Sequence, residues 1–147
     1  MDNPSSIDEI AKILKKRGIK LRPLDISDIS AIEQKFKIAL PEAYKQFLRL
    51  MGKGAGLYMQ GSSVFYDELF SLRQGAEELV IENNLSPIPE NAFVFWMHQG
   101  YQAAYFKLNE GENPPVYYFS EGQNSSGFEL KEKSLSDFFA SQLLFLC

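Results

Sequence analysis

The segment Leu40 to Gly56, LPEAYKQFLRLMGKGAG, constrains the fold more tightly than any other stretch of the chain, because it marks where a helix starts, which face it buries and where it stops. Pro41 suits a first helical position, where the missing N–H costs nothing and φ is already set, and it holds Leu40 extended before it. Leu40, Tyr44, Phe47, Leu48 and Met51 recur at three- and four-residue steps and line one side; Glu42, Lys45, Gln46 and Arg49 take the other. Gly52 is placed to adopt the left-handed conformation that closes a helix, and Gly54 and Gly56 make the exit a loop. A lysine among glycines has the composition of a phosphate loop but the wrong polarity. A phosphate cradle follows a strand and opens a helix, whereas this loop leaves a helix C-terminus, whose dipole repels anions.

Two helices are expected before it. Ser6 with Glu9 fits a capping box, and Ile7, Ile10, Ala11 and Leu14 form an apolar stripe toward Gly18. Lys12, Lys15, Lys16 and Arg17 crowd the last turns of that helix, where positive charge suits the dipole, so the basic cluster needs no nucleic acid to explain it. An extended link, Ile19 to Leu24, leads to a second helix capped near Asp25 or Ser27, with Ile29, Ile32 and Phe36 on one face.

After Gly56 the period becomes extended in Leu57 to Gln60 and again in Ser63 to Tyr66. Ser71 with Gln74 predicts another capping box and a helix through Leu72, Ala76, Leu79 and Val80 that ends near Asn83 or Asn84; Pro87 and Pro89 enforce a loop. Ala92 to Gln99, AFVFWMHQ, is apolar on both alternating faces, as a strand covered on both sides and placed mid-sheet should be. Gly100 and Tyr101 form a tight turn into Gln102 to Leu108. Val116 to Ser120, a turn over Gly122 to Gly127, a short strand Phe128 to Lys131 and a helix capped by Ser134 with Asp137 complete the chain. Strands joined by hairpin-like connections, with helices before and after, favour α+β over a doubly wound sheet.

Composition bounds the chemistry. A length of 147 residues predicts one domain over residues 1–147, able to bury about 68 to 70% of its unfolded surface. Cys147 is the only cysteine, which excludes an internal disulfide or a cysteine metal cluster. Met1 to Ser6 lacks a signal-peptide pattern and no apolar run is long enough to span a bilayer, so a cytoplasmic protein is expected; Asn84 and Asn124, which begin glycosylation-type triplets, then carry no meaning. The net charge of −4 is unevenly spread: residues 1–53 hold 11 Lys and Arg against 7 Asp and Glu, and residues 54–147 hold 4 against 12, a balance of +4 and −8. Such an acidic second part repels nucleic acid and steers basic partners, unless it is an ordinary solvated surface.

His98 is the only histidine, so a catalytic triad or multi-histidine metal site would have to be built around it, with no evident nucleophile. Shared alternation with Val94 and Trp96 places it instead at a strand end, hydrogen-bonded near the sheet rim. Glu77 and Glu78, or Glu110 and Glu112, could form a carboxylate pair, but neighbours on a helix surface or loop are usually solvated. Tyr105, Phe106, Tyr117, Tyr118 and Phe119 read as core and cross-strand pairs. No dinucleotide fingerprint follows a strand. No cofactor, metal or catalytic residue is expected.

The segment IEQKFKIALPEAYKQFLRLMGKGAG, the strand pair AFVFWMHQGYQAAYF, the strand PPVYYFSEG and the closing SLSDFFASQL together resemble the SUKH superfamily, of the Smi/Knr type. Its most specific part is Glu33, the Leu40–Pro41 pair, then Tyr44, Phe47 and Leu48 before a glycine-containing turn. Two positions depart from the usual pattern: Met51 and Gly52 stand in place of Asn-Gly, and Tyr118 and Phe119 in place of Trp-Asp. The resemblance implies a mixed or largely antiparallel sheet of about six strands flanked by helices. It carries no shared catalytic set. It implies protein binding: bacterial members are similar to immunity proteins that neutralise a toxin, often a nuclease, and a fungal member regulates cell-wall synthesis. Joined to the acidic second part, it predicts a partner-binding surface containing Trp96, His98, Tyr101, Glu110, Glu112 and Glu121.

Overall fold

The computed structural model describes residues 6–122 and 126–146. Three helices come first: α1 (Ile7–Lys16), α2 (Ile26–Phe36) and α3 (Glu42–Met51). They are followed by β1 (Ser62–Ser63), the short α4 (Tyr66–Leu69) and α5 (Leu72–Glu82). The strands β2 (Ala92–His98), β3 (Gln102–Lys107), β4 (Val116–Ser120) and β5 (Glu129–Glu132) then lead to α6 (Leu135–Ser141) and a 3-10 turn, Gln142–Phe145. The fold is α+β. Its five strands form one antiparallel sheet in the order β1-β2-β3-β4-β5.

The expected serine caps of the two outermost helices are present: Ser6 Oγ accepts the Glu9 N–H at 3.3 Å and Ser134 Oγ accepts the Asp137 N–H at 3.1 Å. The box expected at Ser71 is not formed. Ser71 already has helical φ and ψ (−102°, −4°) because α4 runs directly into α5, and its hydroxyl donates instead to the Glu68 carbonyl at 3.0 Å.

Around the opening segment the structure changes three details. Pro41 is the extended cap of α3 rather than its first helical residue. Gly52 is right-handed, with φ −60° and ψ −23°; its glycine is required by space, since a Cβ there would lie 2.9 Å from the Leu24 Cβ. Leu57 to Gln60 is a turn, not a strand, because Met59 is left-handed (φ 55°) and the Tyr58 and Gln60 amides close back on Ala55 and Leu57. The apolar residues there anchor the turn rather than pair in a sheet: Tyr58 and Met59 are buried, and the Tyr58 hydroxyl donates to the Phe139 carbonyl.

The next expected strand shrinks to Ser62–Ser63, since Tyr66 opens α4. That leaves five strands among the described residues. The middle strand is β3 rather than β2, although β2 is buried along both faces from Ala92 to Met97. Strand alternation in β2 is broken between Val94 and Trp96, where the register against β3 shifts. The extra residue lets Phe93, Phe95 and Trp96 all reach the rings between the sheet and the helices α3 and α6.

That layer is the centre of the core. Tyr44 lies 5.5 Å from Phe93 and 5.3 Å from Phe106 between ring centroids, and Phe47 stacks on Phe139 at 4.3 Å and 8°. Both α3 rings are fully buried. The Tyr44 hydroxyl has no hydrogen-bond partner among the described residues, and burial pushes its titration far above the ordinary range. An unpartnered buried hydroxyl contributes nothing to offset its desolvation. Tyr44→Phe is therefore expected to change stability by less than about 1 kcal/mol or to raise it, whereas Phe47→Ala should cost about 3–5 kcal/mol. Urea unfolding followed by the fluorescence of the single tryptophan measures both; a large loss in Tyr44→Phe would contradict the assignment.

Candidate functional site

The antiparallel order gives the sheet two ends, and the expected partner-binding residues divide between them. At one end are the β2–β3 turn and the close of β4; at the other are the β3–β4 connection and the start of α6. Trp96, His98, Tyr101 and Glu121 gather at the first. Glu110 and Glu112 lie at the second, in the β3–β4 connection.

At the first end each side chain is held by the one beneath it. Trp96 is only 3% exposed, so it supports the surface rather than forming it, and its Nε1 has no hydrogen-bond partner among the described residues. The half-buried His98 ring stacks parallel on Trp96, 5.9 Å away at 7°, and its Nδ1 lies 2.9 Å from the Ser62 Oγ on the neighbouring strand. Tyr101, 40% exposed, presents an edge-to-face contact to His98 at 6.4 Å. The polar row continues across the sheet, since His98 faces Gln102, and Gln102 Nε2 donates to Ser120 Oγ at 3.3 Å.

The turn that carries Tyr101 is centred one residue earlier than expected. Gln99 (φ 55°) and Gly100 (φ 78°) are both left-handed, which ends β2 at His98, and the Tyr101 N–H donates to the His98 carbonyl at 3.2 Å. Left-handed backbone at a glutamine is uncommon and stores strain at the tip. Across from Tyr101, the Glu121 N–H donates to the Tyr101 carbonyl at 2.8 Å. The Glu121 carboxylate accepts from Asn83 Nδ2 at 2.9 Å, and the same amide nitrogen donates to the Leu79 carbonyl at 2.9 Å. Asn83 and Ser62 were invisible as site residues in the sequence, where Asn83 reads only as a helix terminator and Ser62 as part of a loop.

At the second end the Glu110 carboxylate and the Glu112 backbone are engaged within the fold. Glu110 accepts from the Tyr117 hydroxyl at 3.0 Å; burial first, and then this carboxylate, push the Tyr117 phenol above its ordinary value. The Glu112 carbonyl accepts the Ala43 N–H at 2.9 Å, joining the connection to the first turn of α3, while its side chain is exposed.

A serine hydroxyl on a histidine nitrogen is the first link of a nucleophilic dyad. Among the described residues no carboxylate hydrogen-bonds the His98 ring, and Ser62 sits within a paired strand directly opposite it. The contact aligns β1 and orients the ring. Among the described residues no group of three or more His, Cys, Asp or Glu could hold a metal ion, and no helix is long and apolar enough to cross a membrane. Asn124 and Cys147 lie outside the described residues, as do Met1 to Ser5 and Gln123 to Ser125 within the turn expected over Gly122 to Gly127.

The residues that carried the resemblance are structural. Glu33 Oε2 accepts the Leu40 N–H at 2.7 Å, fixing the bend between α2 and α3, while Tyr44, Phe47 and Leu48 are core. Glu33→Ala leaves that amide unpaired in a partly buried place and is expected to cost about 1–3 kcal/mol. Thermal and urea unfolding should register the loss; an unchanged midpoint would contradict a role for Glu33 in holding the bend.

A model of the SMI1/KNR4 family (SUKH-1) matches residues 23–141, from the link before α2 to the end of α6. No curated protein gives a match to the chain. The matched span includes Glu33, the packed face of α3 and all five strands, so the chain belongs to the SMI1/KNR4 family, SUKH-1.

Proposed function

We propose that this chain acts as a cytoplasmic, non-catalytic protein-binding module of the immunity type, with residues 1–147 as one unit, and that it neutralises a cognate toxin by covering its working surface. Family membership over residues 23–141 carries the reading. The charge balance of residues 54–147, −8, supports it, because a toxin that handles nucleic acid presents a basic cleft that an acidic surface attracts and fills. The face assigned to that contact is the sheet end formed by His98, Tyr101 and Glu121 over buried Trp96. Its exposed groups are an aromatic ring and a carboxylate, and its interior is immobilised by stacking, so little side-chain entropy is lost on docking. Glu110 and Glu112, at the far end, lie outside that contact and add to the negative field that steers approach.

The same family match also supports a regulatory or scaffold module that binds a house-keeping protein. The neighbouring genes separate the two. Co-expression with a toxin encoded beside this gene should restore growth, and the purified pair should form a complex whose association slows as salt rises. Absence of both protection and binding, together with recovery of a house-keeping partner from cells, would replace the immunity reading with the regulatory one. His98→Ala should weaken the complex without abolishing a catalytic activity.

A further inference from the structure

The geometry points to an arginine side chain of the partner protein as the group that the His98–Tyr101–Glu121 end receives, an inference that rests on the protein-binding reading above. Tyr101 and Glu121 occupy opposed positions across β3 and β4, shown by the Glu121 N–H to Tyr101 carbonyl bond, and such positions hold Cβ atoms about 4.5–5.5 Å apart. An aromatic ring and a carboxylate at that spacing match the two faces of a guanidinium: its plane stacks on the ring while its fork meets the carboxylate.

Both groups are set in advance. Tyr101 rests against His98, which rests on Trp96, which is packed by Phe138 at 5.5 Å and Tyr118 at 6.0 Å. Glu121 is exposed but held by Asn83, whose amide is itself bound to the backbone of α5. None of the ion pairs among the described residues uses Glu121.

Of the four cations of residues 54–147, Arg73, Lys107 and Lys133 lie toward the other end of the sheet, and Lys131 is occupied over the Tyr118 ring. The Arg73 guanidinium is bonded to the Ala92, Ile88 and Pro89 carbonyls beside the start of β2. Lys107 closes β3 over the Tyr117 ring, Lys131 lies over Tyr118, and Lys133 follows β5. With Glu121 in no ion pair among the described residues, its carboxylate is open to a planar cation supplied from outside. A lysine ammonium could meet the carboxylate but would present no plane to the ring, so arginine is the better occupant.

The experiment is a titration of the full chain at low salt with three blocked tripeptides, Gly-Arg-Gly, Gly-Lys-Gly and Gly-citrulline-Gly, followed by backbone amide NMR shifts and by Trp96 fluorescence. The arginine peptide should bind in the millimolar range and move the amides of Gln99 to Gln102, Ser120 to Gly122 and Asn83. The lysine peptide should bind about threefold more weakly, and the uncharged citrulline peptide should leave those amides in place. Glu121→Gln and Tyr101→Ala should each weaken arginine binding about threefold while keeping the circular dichroism spectrum and unfolding midpoint of the parent. Equal responses to arginine and citrulline, shifts spread evenly over all acidic residues, or full binding by Glu121→Gln would overturn the inference. Failure of toxin protection in cells would leave the peptide result untouched, so the two readings fall separately.

Discussion

The packing of one helix face into the sheet fixes everything else in this molecule. Tyr44 and Phe47 of α3 meet Phe93 and Phe106 of the sheet and Phe139 of α6, with ring centroids 4.3–5.5 Å apart at these closest contacts. Because these rings interlock, the angle between helix and sheet has little freedom, and so does the path of β2. The register shift at Phe95 follows from the same demand, since it lets consecutive residues of β2 enter that layer. Two clamps hold the helix in its seat. Glu33 binds the Leu40 amide before it, and the absent Cβ of Gly52 admits Leu24 after it.

From that layer the order propagates outward to the sheet end. Phe138 packs Trp96, Trp96 carries His98, and His98 carries Tyr101, so a half-exposed surface ring inherits its position from the core. Glu121 arrives by a separate route through Asn83 and α5. Groups held in this way are fixed before any contact, and fixed groups lose least entropy on docking. The positive φ at Gln99 is consistent with such a tip, because strained backbone persists where its surroundings determine it.

Helices α1 to α3 were legible because amphipathic spacing and caps are local signals, and Ser6, Leu14, Tyr44 and Phe47 declare them unaided. The strands β2 to β4 were equally plain from their apolar runs and intervening turns. Leu57 to Gln60 misled because its apolar residues are buried from a turn: the Tyr58 side chain reaches α6, a long-range contact that an apolar strand would equally suggest. Gly52 misled because a glycine at a helix end signals either left-handed backbone or close approach, and only tertiary structure tells which. At the site, the aromatic members were visible in the sequence. Their division from Glu110 and Glu112 was not, since which acids share an end depends on hairpin connectivity rather than on proximity along the chain. The anchoring of Glu121 by Asn83, 38 residues away, lies beyond any local pattern.

The claim on which the functional account depends is that the partner meets the His98–Tyr101–Glu121 end of the sheet. Hydrogen-exchange footprinting of the complex against the free protein addresses it most directly. Protection centred on Ser62, Gln99 to Gln102 and Ser120 to Gly122, with the Leu108 to Pro115 connection unchanged, is the predicted result. Protection centred on that connection, or on the exposed faces of α1 and α2, would contradict it.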